Sequence, residues 1–131
     1  MSDTPLAQGI VVAHGVMAEG LVDAVRRIAG DSADALTPLS NEGLGPQELK
    51  TALEDLSGQR PTVVFADLMS GSCGMAAFAS CRNVQDRAVV CGVNLPLLLD
   101  FVFHRDLPLG ELVPHLIATG RESVRTLGDT R

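Results

Sequence analysis

Apolar residues arrive along this chain in two rhythms. Gly9-Ile10-Val11-Val12-Ala13, Thr62-Val63-Val64-Phe65-Ala66 and Ala88-Val89-Val90-Cys91-Gly92-Val93 are short continuous runs, the pattern of strands covered on both faces. Ala35–Leu39 predicts a weaker strand, second in chain order. Between these runs the apolar positions fall at helical spacing. Met17, Leu21, Val25 and Ile28 predict a first helix, with Glu19, Asp23, Arg26 and Arg27 on its other side and Gly30 as its stop. The loop Asn41–Gly45 feeds Pro46, suited to the first position of a second helix whose face is Leu49, Leu53 and Leu56. Ser70-Gly71-Ser72 leads into a third helix of small residues, Cys73 to about Arg82.

Past the fourth strand, Asn94-Leu95-Pro96 turns the chain into an almost wholly apolar helix reaching Phe103, which needs partners on two sides. Gly110–Thr119 reads as a fifth helix with Pro114 near its start; Gly120 is expected to break it before a short terminal strand, Ser123–Leu127. Strands alternating with helices predict a three-layer α/β fold: a mostly parallel sheet, right-handed crossovers and helices on both faces. Residues 1–131 read as a single domain, polar and loose at the start, without repeat or linker. Chemistry in such a fold belongs at the carboxyl ends of the strands.

Composition narrows the picture. Hydrophobic residues make up 46% but aromatics only 3%, with neither Trp nor Tyr, so the core must be aliphatic and rich in Ala. A formal charge of −6 repels nucleic acid and anionic membrane surfaces and favours partners with basic faces. The greasiest run, Leu95–Phe103, contains Asp100 and is far shorter than the ~20 residues of a spanning helix. No signal peptide or membrane segment is visible. Cys73, Cys81 and Cys91 form an odd set without CxxC spacing, read as reduced packing residues of a cytoplasmic protein.

His14 follows the first strand and Asp67 the third, and in a sheet of order 2-1-3-4 those strands are neighbours at the switch point. An imidazole beside a carboxylate donates from one ring nitrogen and keeps the other as a nucleophile suited to phosphorus. Asp67 is expected to hold the distal ring nitrogen. The plainer reading makes His14 a strand-end histidine at the water and Asp67 a residue approaching a helix. Gly71 and Ser72, at the start of the third helix, offer backbone N–H groups and a hydroxyl to an anion, although a Gly/Ser turn is also a common cap. Both signals converge on one edge of the sheet.

Other constellations are weaker. Cys73 at a helix N-terminus could be a stabilised thiolate with His14 as its base, the beginnings of a cysteine hydrolase. His14, Asp67 and Cys73 lack paired ligand spacing, so neither metal nor other cofactor is expected. His104 reads as a helix C-terminal cap and His115 as a surface or half-buried residue, with no catalytic role for either. Asn94 and Pro96 shape the turn after the fourth strand.

Four ordered stretches then carry a resemblance that covers nearly all of the chain, from Ile10 to Leu127. They are Ala13-His14-Gly15, Asp67 with Gly71-Ser72, Gly92-Val93-Asn94-Leu95-Pro96, and Thr119-Gly120-Arg121-Glu122. Together they resemble the mannose-type enzyme IIA family of the phosphoenolpyruvate-dependent sugar phosphotransferase system. The resemblance implies a cytoplasmic phosphotransferase component. His14 would accept phosphate from phosphorylated HPr and pass it to a IIB component or domain, Asp67 would orient the imidazole, and Gly71 and Ser72 would cradle the phosphoryl oxygens. It also implies a homodimer that exchanges the C-terminal strand, matched by Ser123–Leu127, and association with membrane permease components without spanning the membrane. The apolar Leu95–Phe103 helix is a candidate for the dimer interface, with a buried core helix as the alternative.

The chain also departs from the family. Where the family often has an aromatic residue and a Gly-Gly-Ser-Pro turn after the aspartate, this chain reads Asp67-Leu68-Met69-Ser70-Gly71-Ser72-Cys73-Gly74, which keeps the anion turn and alters the docking surface. No linker or IIB domain is read behind Leu127. That leaves room for a regulatory module of the same fold that senses phosphorylation state without moving sugar.

Overall fold

The computed structural model of this chain describes residues 5–128. Strands β1 (Gln8–Ala13), β2 (Leu36–Ser40), β3 (Thr62–Ala66) and β4 (Arg87–Cys91) form one parallel sheet in the order β2-β1-β3-β4. The helices are α1 (Met17–Ala29), α2 (Pro46–Ser57), α3 (Ser72–Cys81), α4 (Leu95–Phe103) and α5 (Leu109–Glu122), and a 3-10 turn over Gly30–Ala35 leads into β2. The expected order and three-layer architecture are both present.

Side-chain alternation along the strands builds a core on each face. In β1 and β3, Val11, Ala13, Val63 and Phe65 point to the side of α1, α4 and α5. Ile10, Val12, Val64 and Ala66 point to α2 and α3. Gly9 permits the tightest packing on the first face. A Cβ there would lie 2.7 Å from Leu36 and 2.9 Å from Phe101. Phe101 meets Phe65 edge-on, with ring centroids 5.1 Å apart. Pro38 sits in β2, an edge strand, where a missing N–H costs no central ladder bond.

Several elements differ from expectation. The buried face of α1 is Ala18, Val22 and Val25, while Met17 and Ile28 are exposed. The stripe is rotated because small side chains let the helix approach the sheet. Leu49 and Leu53 of α2 are buried as expected, whereas Leu56 is exposed. Gly120 does not break α5, which runs on to Glu122. It is buried where α5 crosses α4, and a Cβ there would lie 2.9 Å from the Leu97 side chain. Leu97, Leu98, Phe101 and Val102 bury α4 in its own chain, so this is a core helix. After α5, Ser123–Leu127 forms no strand with its own chain, and Val124 and Leu127 are exposed. No helix among the described residues is long and apolar enough to cross a membrane.

Candidate functional site

β1 ends at Ala13, and His14 is the next residue on the chain. Gly15 follows with φ +61, which turns the chain sharply off the strand and suits glycine because no Cβ crowds the carbonyl. Two side chains from the end of β2 hold this turn: Ser40 Oγ donates to Gly15 O at 2.8 Å, and Gly15 N donates to Asn41 Oδ1 at 3.1 Å. Neither stood out in the sequence, since a Ser-Asn pair after a strand reads as an ordinary loop start.

On the neighbouring strand, Asp67 directly follows β3, and its backbone N–H donates to Val12 O at 3.3 Å, continuing the β1–β3 pairing by one residue. Its side chain is only 7% exposed. Oδ2 accepts from the backbone N–H of His14 at 3.0 Å and from the ring Nδ1 at 2.7 Å. Oδ1 accepts from Leu68 N at 2.9 Å. Burial pushes this carboxyl up, but hydrogen bonds from the His14 ring, the His14 N–H and the Leu68 N–H outweigh it, and the net direction is downward from the ordinary value.

A carboxylate oxygen only accepts, so the ring nitrogen facing it carries the proton. That nitrogen is Nδ1, the one nearer the main chain, and the expectation of the distal nitrogen is corrected. The reason is reach: Asp67 sits beside the His14 backbone and meets the near side of the ring. In the neutral ring Nε2 then keeps its lone pair, in a side chain 44% exposed. Ser72 Oγ lies 3.4 Å from it.

Ser72 opens α3, and Gly71, with φ +93, is its N-cap. A Cβ on Gly71 would meet only the His14 ring, at 3.8 Å from Cε1, so backbone conformation more than space favours glycine here. The first α3 bond runs from Met75 N to Gly71 O, and among the described residues the N–H groups of Ser72, Cys73 and Gly74 have no partner. Free N–H groups in a helix's first turn, together with its dipole, favour an anion beside Nε2. The chain thus brings His14, Asp67, Gly71 and Ser72 to one point at the carboxyl edge of the sheet.

Gly74 is a positioning residue that the sequence did not reveal. A Cβ there would lie 2.4 Å from both Leu68 O and Met69 O. Only glycine lets loop 68–71 fold so tightly onto the first turn of α3. The only sequence signal was a second glycine three residues after Gly71.

Cys73 is fully buried in the core beneath α3, directly under the site, with its Sγ within 4.8 Å of a His14 ring nitrogen and an Asp67 carboxylate oxygen. Burial, with the Asp67 charge adding to it, pushes its thiol upward. The weaker reading of Cys73 as a stabilised thiolate is therefore set aside in favour of the packing residue: desolvation outweighs the dipole. Asn94, as expected, shapes the turn after β4; its Oδ1 accepts from Leu97 N at 3.1 Å and caps α4. His104 follows α4 as its C-cap, and His115 lies on α5 at the surface, neither within the cluster at the carboxyl edge.

Comparison with known proteins identifies relatives of the same fold. Residues 9–117 match the family model EIIA-man, described as the PTS system fructose IIA component. The chain is 26% identical over 124 residues to the PTS system mannose-specific EIIAB component of Escherichia coli K12, covering 90% of this chain and 38% of that protein. It thus spans little more than a third of the length of the curated relatives it matches. Among solved structures it is similar to the mannose/sorbose specific IIA subunit of the phosphotransferase system from Enterococcus faecalis. The two share a TM-score of 0.83 and 26% identity, covering 97% of this chain and 98% of that one. The phosphotransferase system component EIIA from Streptococcus agalactiae shares the fold, with a TM-score of 0.85 at 23% identity over 92% and 97% of the two chains.

Proposed function

This chain belongs to the EIIA-man family, the PTS system fructose IIA component, and from that premise we propose that it is a phosphoryl carrier whose acceptor atom is Nε2 of His14. The observation that carries the reading is the 2.7 Å contact between Nδ1 and Asp67, which in the neutral ring leaves the lone pair on Nε2, turned toward Ser72 and the first turn of α3. Phosphorylated HPr is the donor. The bond from phosphorus to the donor breaks as one forms to Nε2, while the Nδ1 proton stays hydrogen-bonded to Asp67. A IIB component or domain takes the group in the reverse sense.

The phosphoryl group brings about −1.5 to −2 of charge. The N–H groups of residues 71–74 and the Ser72 hydroxyl offset its repulsion from Asp67. Exposed Val16, Leu68 and Met69 flank the histidine and provide an apolar docking rim for the two partner proteins.

The functional unit is a homodimer with exchanged C-terminal strands. β4 is an edge strand, and a cavity of about 300 Å³ runs along it between Val90, Cys91, Ile117 and Val124. An edge strand without a second neighbour among the described residues offers the partner's segment 123–127 a place to pair, which supports exchange. Truncation after Glu122 should turn the dimer into a monomer in light scattering.

The deciding experiment is incubation of the purified chain with phosphorylated HPr, with the modified residue located by mass spectrometry. Acid-labile phosphate on His14, absent from His14→Ala and retained in His104→Ala and His115→Ala, is the expected result. Phosphate persisting in the His14 variant would refute the assignment.

A further inference from the structure

We propose that Asp100, His104 and His115 form a second site, a binding site for a divalent transition-metal ion of the zinc class, on the outer surface between α4 and α5. Asp100 and His104 stand one helical turn apart at the end of α4, and His115 and Thr119 stand one turn apart on α5. His104 Nδ1 lies 2.7 Å from Asp100 Oδ1, and His115 Nε2 lies 2.9 Å from the same oxygen. The three ligand atoms fall within 4.8 Å of one another. Two ligands on a tetrahedral zinc stand about 3.3 Å apart at the usual bond lengths. The two contacts to Oδ1 therefore need to open by only about half an ångström to admit the ion, and the two ring nitrogens, no more than 4.8 Å apart, to settle at the same spacing.

The surroundings are built for a ligand oxygen. Asp100 is 9% exposed, and its other oxygen, Oδ2, accepts from Thr119 Oγ1 at 2.5 Å, which fixes the carboxylate with Oδ1 facing the two rings. An outer-shell hydroxyl on a ligating carboxylate is the arrangement that orients metal sites. The rings themselves are half-exposed, with centroids 4.8 Å apart, so solvent reaches the point where they converge and water can fill the fourth position.

Two nitrogens and one carboxylate oxygen suit zinc, cobalt or nickel, whereas calcium and magnesium require oxygen ligands. In the metal-free protein the nitrogens facing Oδ1 carry ring protons, because that oxygen only accepts, and His104 Nδ1 shares its proton with the Asp100 carbonyl at 2.9 Å. In a neutral ring, binding moves the proton to the other nitrogen, His104 Nε2 or His115 Nδ1, and frees the facing lone pair; at His104 the ion also replaces the bond to the Asp100 carbonyl. The site is separate from His14: α4 starts beyond the carboxyl edge and runs back, and just past His104 the Arg105 carbonyl accepts from Ala7 N at the opposite edge.

The test is calorimetric titration of the metal-free protein with Zn²⁺, paired with the absorption spectrum of the Co²⁺ form. One Zn²⁺ per chain is expected, with affinity falling at least about tenfold in His104→Gln, in His115→Gln and in the outer-shell variant Thr119→Val. His14→Gln should bind as the parent does, and the Co²⁺ spectrum should show ligand-field bands without thiolate charge transfer. No saturable binding overturns the proposal. So does binding that survives both histidine substitutions, and so does a thiolate band lost in Cys73→Ala, which would put the ion at His14, Asp67 and Cys73. The parent Co²⁺ spectrum decides between these sites even if a variant folds poorly.

Discussion

Asp67 holds His14 twice through a single oxygen: Oδ2 takes the backbone N–H at 3.0 Å and the ring Nδ1 at 2.7 Å. The first bond ties the carboxylate to the end of β1, and the second fixes the ring's rotation and tautomer relative to that strand. Asp67→Ala should therefore slow phosphate uptake from phosphorylated HPr by about 10²-fold, the scale of losing alignment at the reacting atom, while the circular dichroism spectrum is retained.

Asp67→Asn should be impaired as well. Oδ1 accepts from Leu68 N and Oδ2 from His14, so whichever way an amide turns, its NH₂ faces a donor. Uptake at the parental rate in both variants would reduce Asp67 to a structural residue.

The same carboxylate sets a pH dependence. Its folded value lies below its ordinary 3.8, so unfolding in acid takes up a proton and stability rises with pH across that window. The stabilisation is fully present above about pH 4 and is lost as pH falls through the lowered folded value. Urea midpoints measured down the acid limb should fall less steeply for Asp67→Ala than for the parent; parallel limbs would show that the pair adds nothing.

Gly74→Ala should disturb the site and spare the core. The added Cβ meets two carbonyl oxygens at 2.4 Å, and relief requires loop 68–71 to lift from the first turn of α3. A stability loss of about 1–3 kcal/mol is expected, with a larger proportional loss in the rate of phosphate acceptance. Retention of the parental acceptance rate would mean that the loop's position against α3 is unimportant.

Cys73→Ala should keep phosphate acceptance within about threefold of the parent, since the segment contributes backbone N–H groups that the substitution leaves in place. Because the thiol is buried and its ionisation pushed upward, alkylation of Cys73 in the folded protein should be far slower than in urea. Rapid alkylation under native conditions that also stops phosphotransfer would revive a nucleophilic cysteine.

Much of the architecture was legible because it follows from local rules. β3 lies at Thr62–Ala66 and α4 at Leu95–Phe103, as their unbroken apolar runs and flanking Pro, Asp and Asn residues implied. The meeting of His14 and Asp67 was legible too: they follow strands that a right-handed α/β topology makes neighbours. Gly120 and the face of α1 were not legible. A glycine in a helix reads as a break unless a second helix is known to cross it, and a stripe of large apolar residues reads as the buried one unless the helix must approach a sheet closely.

What the sequence by itself determined is therefore the order of the elements, the aliphatic core and the residue types available at each strand end, since these depend on spacing of a few residues along the chain. Tertiary structure alone decided which ring nitrogen Asp67 meets, that Cys73 faces inward, that Gly74 lies against two carbonyls, and that Asp100, His104 and His115 share one oxygen. Each of these turns on distances of an ångström or less between atoms far apart in the chain. Hydrogen bonds and close contacts change sign over that range, whereas the hydrophobic pattern that selects the fold tolerates it.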